Sequence, residues 1–279
     1  MNIGVTGPKG RLGSELVLRW KCSPIEKRLL ELRPEDVQTF DAIINCAAYT
    51  HVDMCETEEG LQTATKTNLW GIEHLRTVFS GYLIHISTDY VFDCRQGPYT
   101  EKFSKFSPVN AYGWTKYVGE VVLLNPSPEN EAKQTTIVRT TGLYGGISQN
   151  PDFASMVLLG LRENQPLAIS KELHGNQTYI PHLAEALIKL ARTANPPPIV
   201  HIASLEVVSR YEFAVRLANA FGLDNNLLVP CLNRDVPGWT AVRPIKGGLK
   251  VNLAKKFRLP IYTIQDGIKA YREDTRSLV

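Results

Sequence analysis

Short apolar runs alternate with stretches of helical length along the first half of the chain. Residues 2–6 form one such run, which ends at Gly7 and is followed by Leu12, Leu16, Val17 and Trp20 at helical spacing. This pattern predicts strand, glycine turn and helix. Further runs at 41–48, 82–87 and 135–139 lie between helix-length segments, so the alternation reaches about residue 145. It predicts an α/β fold with a doubly wound parallel sheet of Rossmann type. A helix begun near Asn110 continues through 119–124 and is predicted to end at Asn125-Pro126-Ser127-Pro128. Beyond Gly145-Gly146 prolines become frequent and the alternation loosens, which predicts a smaller C-terminal lobe over 146–279, with some segments returning to the main sheet. Leu183, Ala186, Leu187 and Leu190 mark a helix there, and Ser209 with Glu212 makes a capping box for another that ends near Gly222. No linker separates the lobes, so a cleft between them is expected.

The turn Gly7-Pro8-Lys9-Gly10-Arg11-Leu12-Gly13 follows a strand and opens a helix. Glycines in that setting let a backbone approach a pyrophosphate, and the helix N-terminus adds free N–H groups and a positive partial charge. Gly7, Gly10, Arg11, Leu12 and Gly13 are therefore candidate cofactor residues, and a plain tight turn is the alternative. About twenty positions after the first glycine, a carboxylate would hold a ribose hydroxyl and cations a 2′-phosphate. The chain has Glu26 followed by Lys27 and Arg28. Two cations against one carboxylate favour NADP(H), with NAD(H) as the alternative and a solvated turn as the bland reading. Cys46, Ala47 and Ala48, small residues at the end of the 41–48 run, leave room for a ribose at the carboxyl edge of the sheet.

Tyr112 and Lys116 stand at i, i+4, which puts phenol and ammonium on one face of a helix. A phenol titrates near ~10, so a neighbouring cation is expected to lower it and make it a usable acid. Ser87-Thr88 ends the preceding strand, where a hydroxyl can hydrogen-bond a carbonyl as charge develops on it. Composition narrows the class further. With 43% apolar and 21% charged residues the chain is ordinary globular, and a net charge of +3 is too small to predict a nucleic-acid partner. The longest nearly apolar run, 153–161, falls short of the ~20 residues of a membrane span. The N-terminus lacks a signal-peptide pattern, so a cytoplasmic protein is expected. Cys22, Cys46, Cys55, Cys94 and Cys231 are scattered, as expected of reduced thiols, and no metal site is predicted.

The glycine spacing resembles the extended short-chain dehydrogenase/reductase superfamily, and three segments sharpen the likeness. His85-Ile86-Ser87-Thr88-Asp89-Tyr90-Val91-Phe92-Asp93, Gly97-Pro98-Tyr99-Thr100-Glu101 and Pro108-Val109-Asn110-Ala111-Tyr112-Gly113-Trp114-Thr115-Lys116 are similar to the dTDP-4-dehydrorhamnose reductase family. Asn45 to Thr50 with Val52, Asp53 and Glu56, together with Asn68, Val138-Arg139-Thr140-Thr141 and Arg243-Pro244, extend it. The resemblance implies dinucleotide binding by 1–145 and mainly substrate binding by 146–279. It further implies hydride transfer from NAD(P)H to the C4 ketone of a nucleotide-linked 4-keto-6-deoxy sugar. Tyr112 would be the general acid, Lys116 would tune it and hold the nicotinamide ribose, and Thr88 would polarise the ketone. Val52, Ser87, Asp89 and Tyr90 would shape the sugar site.

Family members usually carry tryptophan at Gly142, glutamine at Leu173, proline at Gln177 and aspartate at His182, so the resemblance leaves the substrate open. It also admits a non-catalytic reading, since the regulatory beta subunit of methionine adenosyltransferase is similar, and an epimerase on the same fold. A nucleotide sugar is the expected partner, and a homodimer is an open assembly.

Overall fold

The computed structural model describes residues 1–93, 95–103, 105–125, 134–147 and 151–276. Cys94 and the proline segment after Asn125 lie outside them.

The chain runs β1 (Ile3–Thr6), α1 (Arg11–Leu18), β2 (Ser23–Ile25), α2 (Pro34–Val37), β3 (Ala42–Asn45), α3 (Glu58–Thr65), α4 (Gly71–Val78), β4 (Tyr82–Thr88), α5 (Ala111–Leu124) and β5 (Thr135–Thr140). It continues through α6 (Phe153–Arg162), β6 (Leu167–Ser170), β7 (His174–Gly175), α7 (Ile180–Ala191), β8 (Ile199–His201), β9 (Val208–Ser209), α8 (Arg210–Phe221), β10 (Leu228–Cys231), α9 (Asn252–Lys256) and α10 (Ile264–Arg276).

Six strands form one parallel sheet in the order β2-β1-β3-β4-β5-β8. Parallel strands need helical crossovers and bury both faces, which is why these strands read as nearly continuous apolar runs. On one face Val5, Ile44, Ile84, Val138 and Val200 pack with Leu16 of α1 and Leu183 and Leu187 of α7. On the other, Ile43, Leu83 and Ile137 meet Ile72 and Leu75 of α4 and Leu123 of α5. The chain passes from β1 to β2 on one side and then crosses back to β3 on the other, and the crevice at such a switch point is where open α/β sheets bind ligands.

The smaller lobe has its own core of Tyr144, Phe213, Leu217, Ile264, Ile268 and Tyr271. It carries two two-stranded sheets, β10-β6 and β7-β9. Within 146–279, α7 and β8 belong to the main sheet and its covering layer, so the lobes are interleaved. The Ser209/Glu212 capping box starts α8, and Gly222, in the left-handed region at φ 68°, stops it. A buried bidentate pair fixes α5 against β5: Arg139 Nε donates to Glu120 Oε1 at 3.0 Å and Nη2 to Oε2 at 2.5 Å, both side chains being out of solvent.

Among the described residues no helix is long and apolar enough to cross a membrane. No His/Cys/Asp/Glu group there could hold a metal ion. Cys22, Cys46, Cys55 and Cys231 are free thiols.

Candidate active site

The glycine turn is built as its spacing predicts, with a different task for each glycine. Gly7 sits at φ 62°, and a Cβ there would lie 2.8 Å from the backbone N of Ala47. A Cβ on Gly13 would lie 2.1 Å from Gly7 O, so Gly13 lets α1 rest on the turn. Gly10 is different: its backbone is extended, and a Cβ would meet only Gly7 O at 3.3 Å. Nothing in the fold requires a glycine at position 10, and space is left above it. Gly10 is the N-cap of α1 and makes no side-chain cap, so the first N–H groups of the helix face that space unpaired within the helix. Leu12 turns its side chain inward. Its side chain packs in the main core at 6% exposure, so only its backbone N–H is available to a ligand.

The turn forms one wall of a cleft of about 620 Å³ whose lining includes Gly10, Glu26, Lys27, Arg28, Ala47 and Lys66. The balance of charge at 26–28 differs from the sequence expectation. Glu26 pairs with Lys9 at 3.2 Å and Lys27 pairs with Asp36 at 2.6 Å. Arg28 has no ion pair among the described residues and is open at this edge. Lys66, which sequence reasoning missed, stands at the start of a π-turn, Lys66–Trp70, between α3 and α4. Such single-turn bulges cluster at functional sites, but no simple periodicity reveals them. The same turn buries Asn68, whose amide donates to Tyr49 O and Thr115 Oγ1, both at 3.0 Å. It thereby ties the segment after β3 to α5.

Helix α5 starts where Asn110 Oδ1 accepts from Gly113 N at 2.8 Å. A Cβ at Gly113 would lie 2.4 Å from Tyr90 O, so this glycine lets the helix approach the turn after β4. The approach brings Thr88, Tyr112 and Lys116 together at the carboxyl end of β4. The Tyr112 hydroxyl lies close enough to the Thr88 side chain for Thr88 to favour its ionised form, and its ring meets Tyr90 edge-on at 5.6 Å. Val52, Tyr49 and Tyr90 pack around Tyr112. Lys116 is 1% exposed, and its Nζ donates to Ile86 O at 2.9 Å and lies 3.3 Å from His85 Nε2. Burial pulls the ammonium down to about 8, against the opposing pull of Glu120 and Cys46.

The expected lowering of the phenol is not seen. Burial, with Tyr90 beside it, pushes Tyr112 up, and Thr88 offsets only part of this. Lys116 is docked on β4, so its charge does not dominate at the phenol. Chemically this suits reduction, because an alkoxide takes a proton from any phenol. The acid has only to be protonated and in place.

Two of the residues expected at the sugar site lie out of solvent. Asp89 is buried, its carboxylate accepting from Gly248 N at 3.2 Å and Thr88 Oγ1 at 3.3 Å. Burial raises it to about 6 despite hydrogen bonds from Gly248, Thr141 and Thr88, so it braces Thr88 from behind. Ser87 Oγ is buried with no hydrogen-bond partner among the described residues. Of the residues where the chain departs from family usage, Gly142 lies at φ 62° with Gln177 Oε1 2.7 Å from where its Cβ would be, so the two are mutually fitted. His182 stacks on Tyr262 at 3.7 Å as part of the packing of α7.

A wall of aromatic and basic residues in the smaller lobe was not legible in the sequence. Arg210, the first residue of α8, lies between the rings of Phe153 at 4.6 Å and Trp239 at 5.4 Å, and Trp239 also carries Arg243 at 4.7 Å. Arg210 has no carboxylate partner among the described residues and lies within electrostatic range of Tyr90, Arg243 and Arg11. Asp53 latches this wall to the first lobe, accepting from Thr240 N at 2.8 Å, Ala241 N at 2.9 Å and Arg243.

Burial favours a raised Asp53 pKa, but Arg243 and the two N–H groups outweigh it and hold the carboxyl at about 2. An unfolded Asp titrates near ~3.9, so the latch is fully engaged above that pH and is lost as pH falls from about 4 toward 2. The expected result is an acid fluorescence transition of Trp239 in that window, absent from Asp53→Asn and from Trp239→Phe.

Comparison with known proteins agrees with this geometry. The chain matches the RmlD substrate binding domain family over residues 1–277. It is 32% identical over 240 residues to the spore coat polysaccharide biosynthesis protein SpsK of Bacillus subtilis, covering 80% of this chain and 81% of that one. It is 30% identical over 251 residues to dTDP-4-dehydrorhamnose reductase of Mycobacterium tuberculosis, covering 84% and 80%. The crystal structure of dTDP-4-dehydrorhamnose reductase from Bacillus anthracis in complex with NADP superposes with a TM-score of 0.85 at 26% identity, over 98% of this chain and 100% of that one. With the glycine turn, the Thr88–Tyr112–Lys116 cluster and a match along almost its whole length, the chain belongs to the dTDP-4-dehydrorhamnose reductase family.

Proposed function

We propose that this protein is an NADP(H)-dependent reductase that delivers hydride to the C4 ketone of a nucleotide-linked 4-keto-6-deoxy sugar. The observation that carries the reading is the convergence of Thr88, Tyr112 and Lys116 at the carboxyl end of β4, beside a glycine turn with space above Gly10. NADPH, when bound, supplies the hydride.

The residues present fit that cofactor. The open space over Gly10 and the unpaired N–H groups of α1 suit a pyrophosphate, and Arg28 at the cleft edge suits a 2′-phosphate. Thr88 turns its one hydroxyl hydrogen from Asp89 to the ketone oxygen as negative charge develops there. Tyr112 then gives that oxygen its proton, and the Lys116 ammonium stabilises the phenolate left behind. Arg210 gives the aromatic wall its specificity. Its aromatic neighbours cover the guanidinium plane, so the N–H edge remains for a doubly charged oxygen acceptor such as the diphosphate of a nucleotide sugar.

NADPH absorbance followed against a panel of nucleotide-linked 4-keto sugars tests the reading. Turnover supports it. Tight NADPH binding with no turnover on any member overturns it in favour of a regulatory binder, and isomerised product without net oxidation favours an epimerase. Arg28→Ala should weaken NADPH by about tenfold or more, the loss of one charge-assisted contact, and leave NADH unchanged. Titration of the variant with both cofactors checks this, and an equal loss for the two places no 2′-phosphate at Arg28.

A further inference from the structure

Sheet register puts three polar residues in one buried row. Thr6 of β1 is the register partner of Asn45 of β3, and Asn45 that of His85 of β4. All three are at most 1% exposed. They lie on the face covered by α4 and α5, two residues along from Ile43 and Leu83 of that core. Thr6 Oγ1 donates to Asn45 Oδ1 at 2.5 Å, Asn45 Nδ2 lies 2.9 Å from His85 Nδ1, and His85 Nε2 lies 3.3 Å from Lys116 Nζ. Polar side chains at the centre of a parallel sheet are costly unless each is paired, and here the row ends on the catalytic lysine.

A neutral imidazole has one N–H and one lone pair. His85 is neutral at physiological pH, because burial, then the charge of Lys116, pushes it well below its usual value. With Lys116 as an ammonium, Nε2 must accept from Nζ, Nδ1–H must donate to the Asn45 carboxamide oxygen, and the Asn45 amide must donate to Thr6. With Lys116 as an amine, every bond reverses. Thr6 then donates to Asn45 Oδ1 and Asn45 Nδ2 to His85 Nδ1, the arrangement found here, and Nε2–H meets the amine lone pair. Both orders leave the Nζ contact to Ile86 O in place. Both orders keep the three contacts of the row made.

We propose that this row is a hydrogen-bond relay with two polarities, and that His85 is the positioning residue through which it holds Lys116 in place in both of its charge states. No proton travels along it, since a carboxamide does not release one; the row only reorients. Lys116 can change charge beside Tyr112 without moving from its seat on β4. The other ionisable groups facing Lys116 are Glu120, on its own helix and held by Arg139, and the Cys46 thiol at the end of β3. Among these groups, His85 is the one in contact with Nζ.

The proposal rests on Lys116 being catalytic, and the test keeps the two ideas apart. In protein carrying labelled lysine, the titration midpoint of Lys116, assigned by Lys116→Met, is followed by NMR in wild type, His85→Phe and His85→Gln. Loss of the acceptor should lower the midpoint by about one unit, so the ratio of His85→Phe to wild-type kcat falls by about tenfold between pH 6 and pH 9. Glutamine, whose amide can offer oxygen or N–H to Nζ, should restore the wild-type profile to within about twofold. Asn45→Asp is acceptor-only, admits one polarity and should raise the midpoint by about one unit or more. The relay is overturned if His85→Phe leaves the midpoint unmoved, if His85→Gln behaves like His85→Phe, or if Asn45→Asp has no effect. Wild-type protein that reduces no 4-keto sugar refutes the reductase reading, while the lysine midpoint still decides the relay.

Discussion

Tyr112→Phe is expected to lower kcat by about 10²–10⁴-fold, the usual contribution of a placed general acid, and to leave NADPH affinity unchanged. The ring stays to pack against Tyr90 and Val52, and only the hydroxyl is lost, so stability should fall by about 1 kcal/mol at most. Single-turnover kinetics with a 4-keto nucleotide sugar, alongside thermal unfolding, measure both. Thr88→Val should fall between wild type and Tyr112→Phe, because it loses one hydrogen bond to the ketone and keeps the acid. Lys116→Met should lose turnover and some cofactor affinity together. Full activity in Tyr112→Phe would remove the catalytic assignment.

The second large effect is expected at Gly10, the one glycine of the turn that is free to change without breaking it. At Gly7 a side chain would meet Ala47 in a left-handed backbone, and at Gly13 it would collide with Gly7 O, so variants there report on folding. Gly10→Val should fold, since position 10 has an extended backbone and nearly empty surroundings. Its methyl groups would occupy the space above the first turn of α1. Losing two charge-assisted hydrogen bonds at about 1.5 kcal/mol each would weaken NADPH by about 100-fold. Calorimetry on the folded variant checks this, and unchanged affinity would refute the pyrophosphate site.

What could be read in the sequence was what is local. A glycine turn between strand and helix and a Tyr/Lys pair one helical turn apart both carry their geometry in their spacing, and both stand where that spacing predicts. Strand β8 was illegible, because three residues after a run of prolines have no period of their own, yet they complete the sheet beside β5. The row Thr6–Asn45–His85 depends on the register of three strands spread over some eighty residues of chain. Nor could spacing show that Lys27 is tied to Asp36 and Arg28 is open, or that Lys116 leans on β4 instead of the phenol. The aromatic wall was missed for a related reason: Phe153, Arg210 and Trp239 come from three separate segments and meet only once the smaller lobe closes on its own core.

The Asp53 latch separates what this protein does from what it admits. Proton donor, lysine and hydroxyl all ride on β4 and α5, whereas residues 239–243 are hydrogen-bonded to that half through Asp53 and Asn110. The segment 239–243 is thus clipped at two points to the half that holds the reacting groups. Substitutions in 239–243 that spare these two anchors should therefore leave the geometry of β4 and α5 undisturbed.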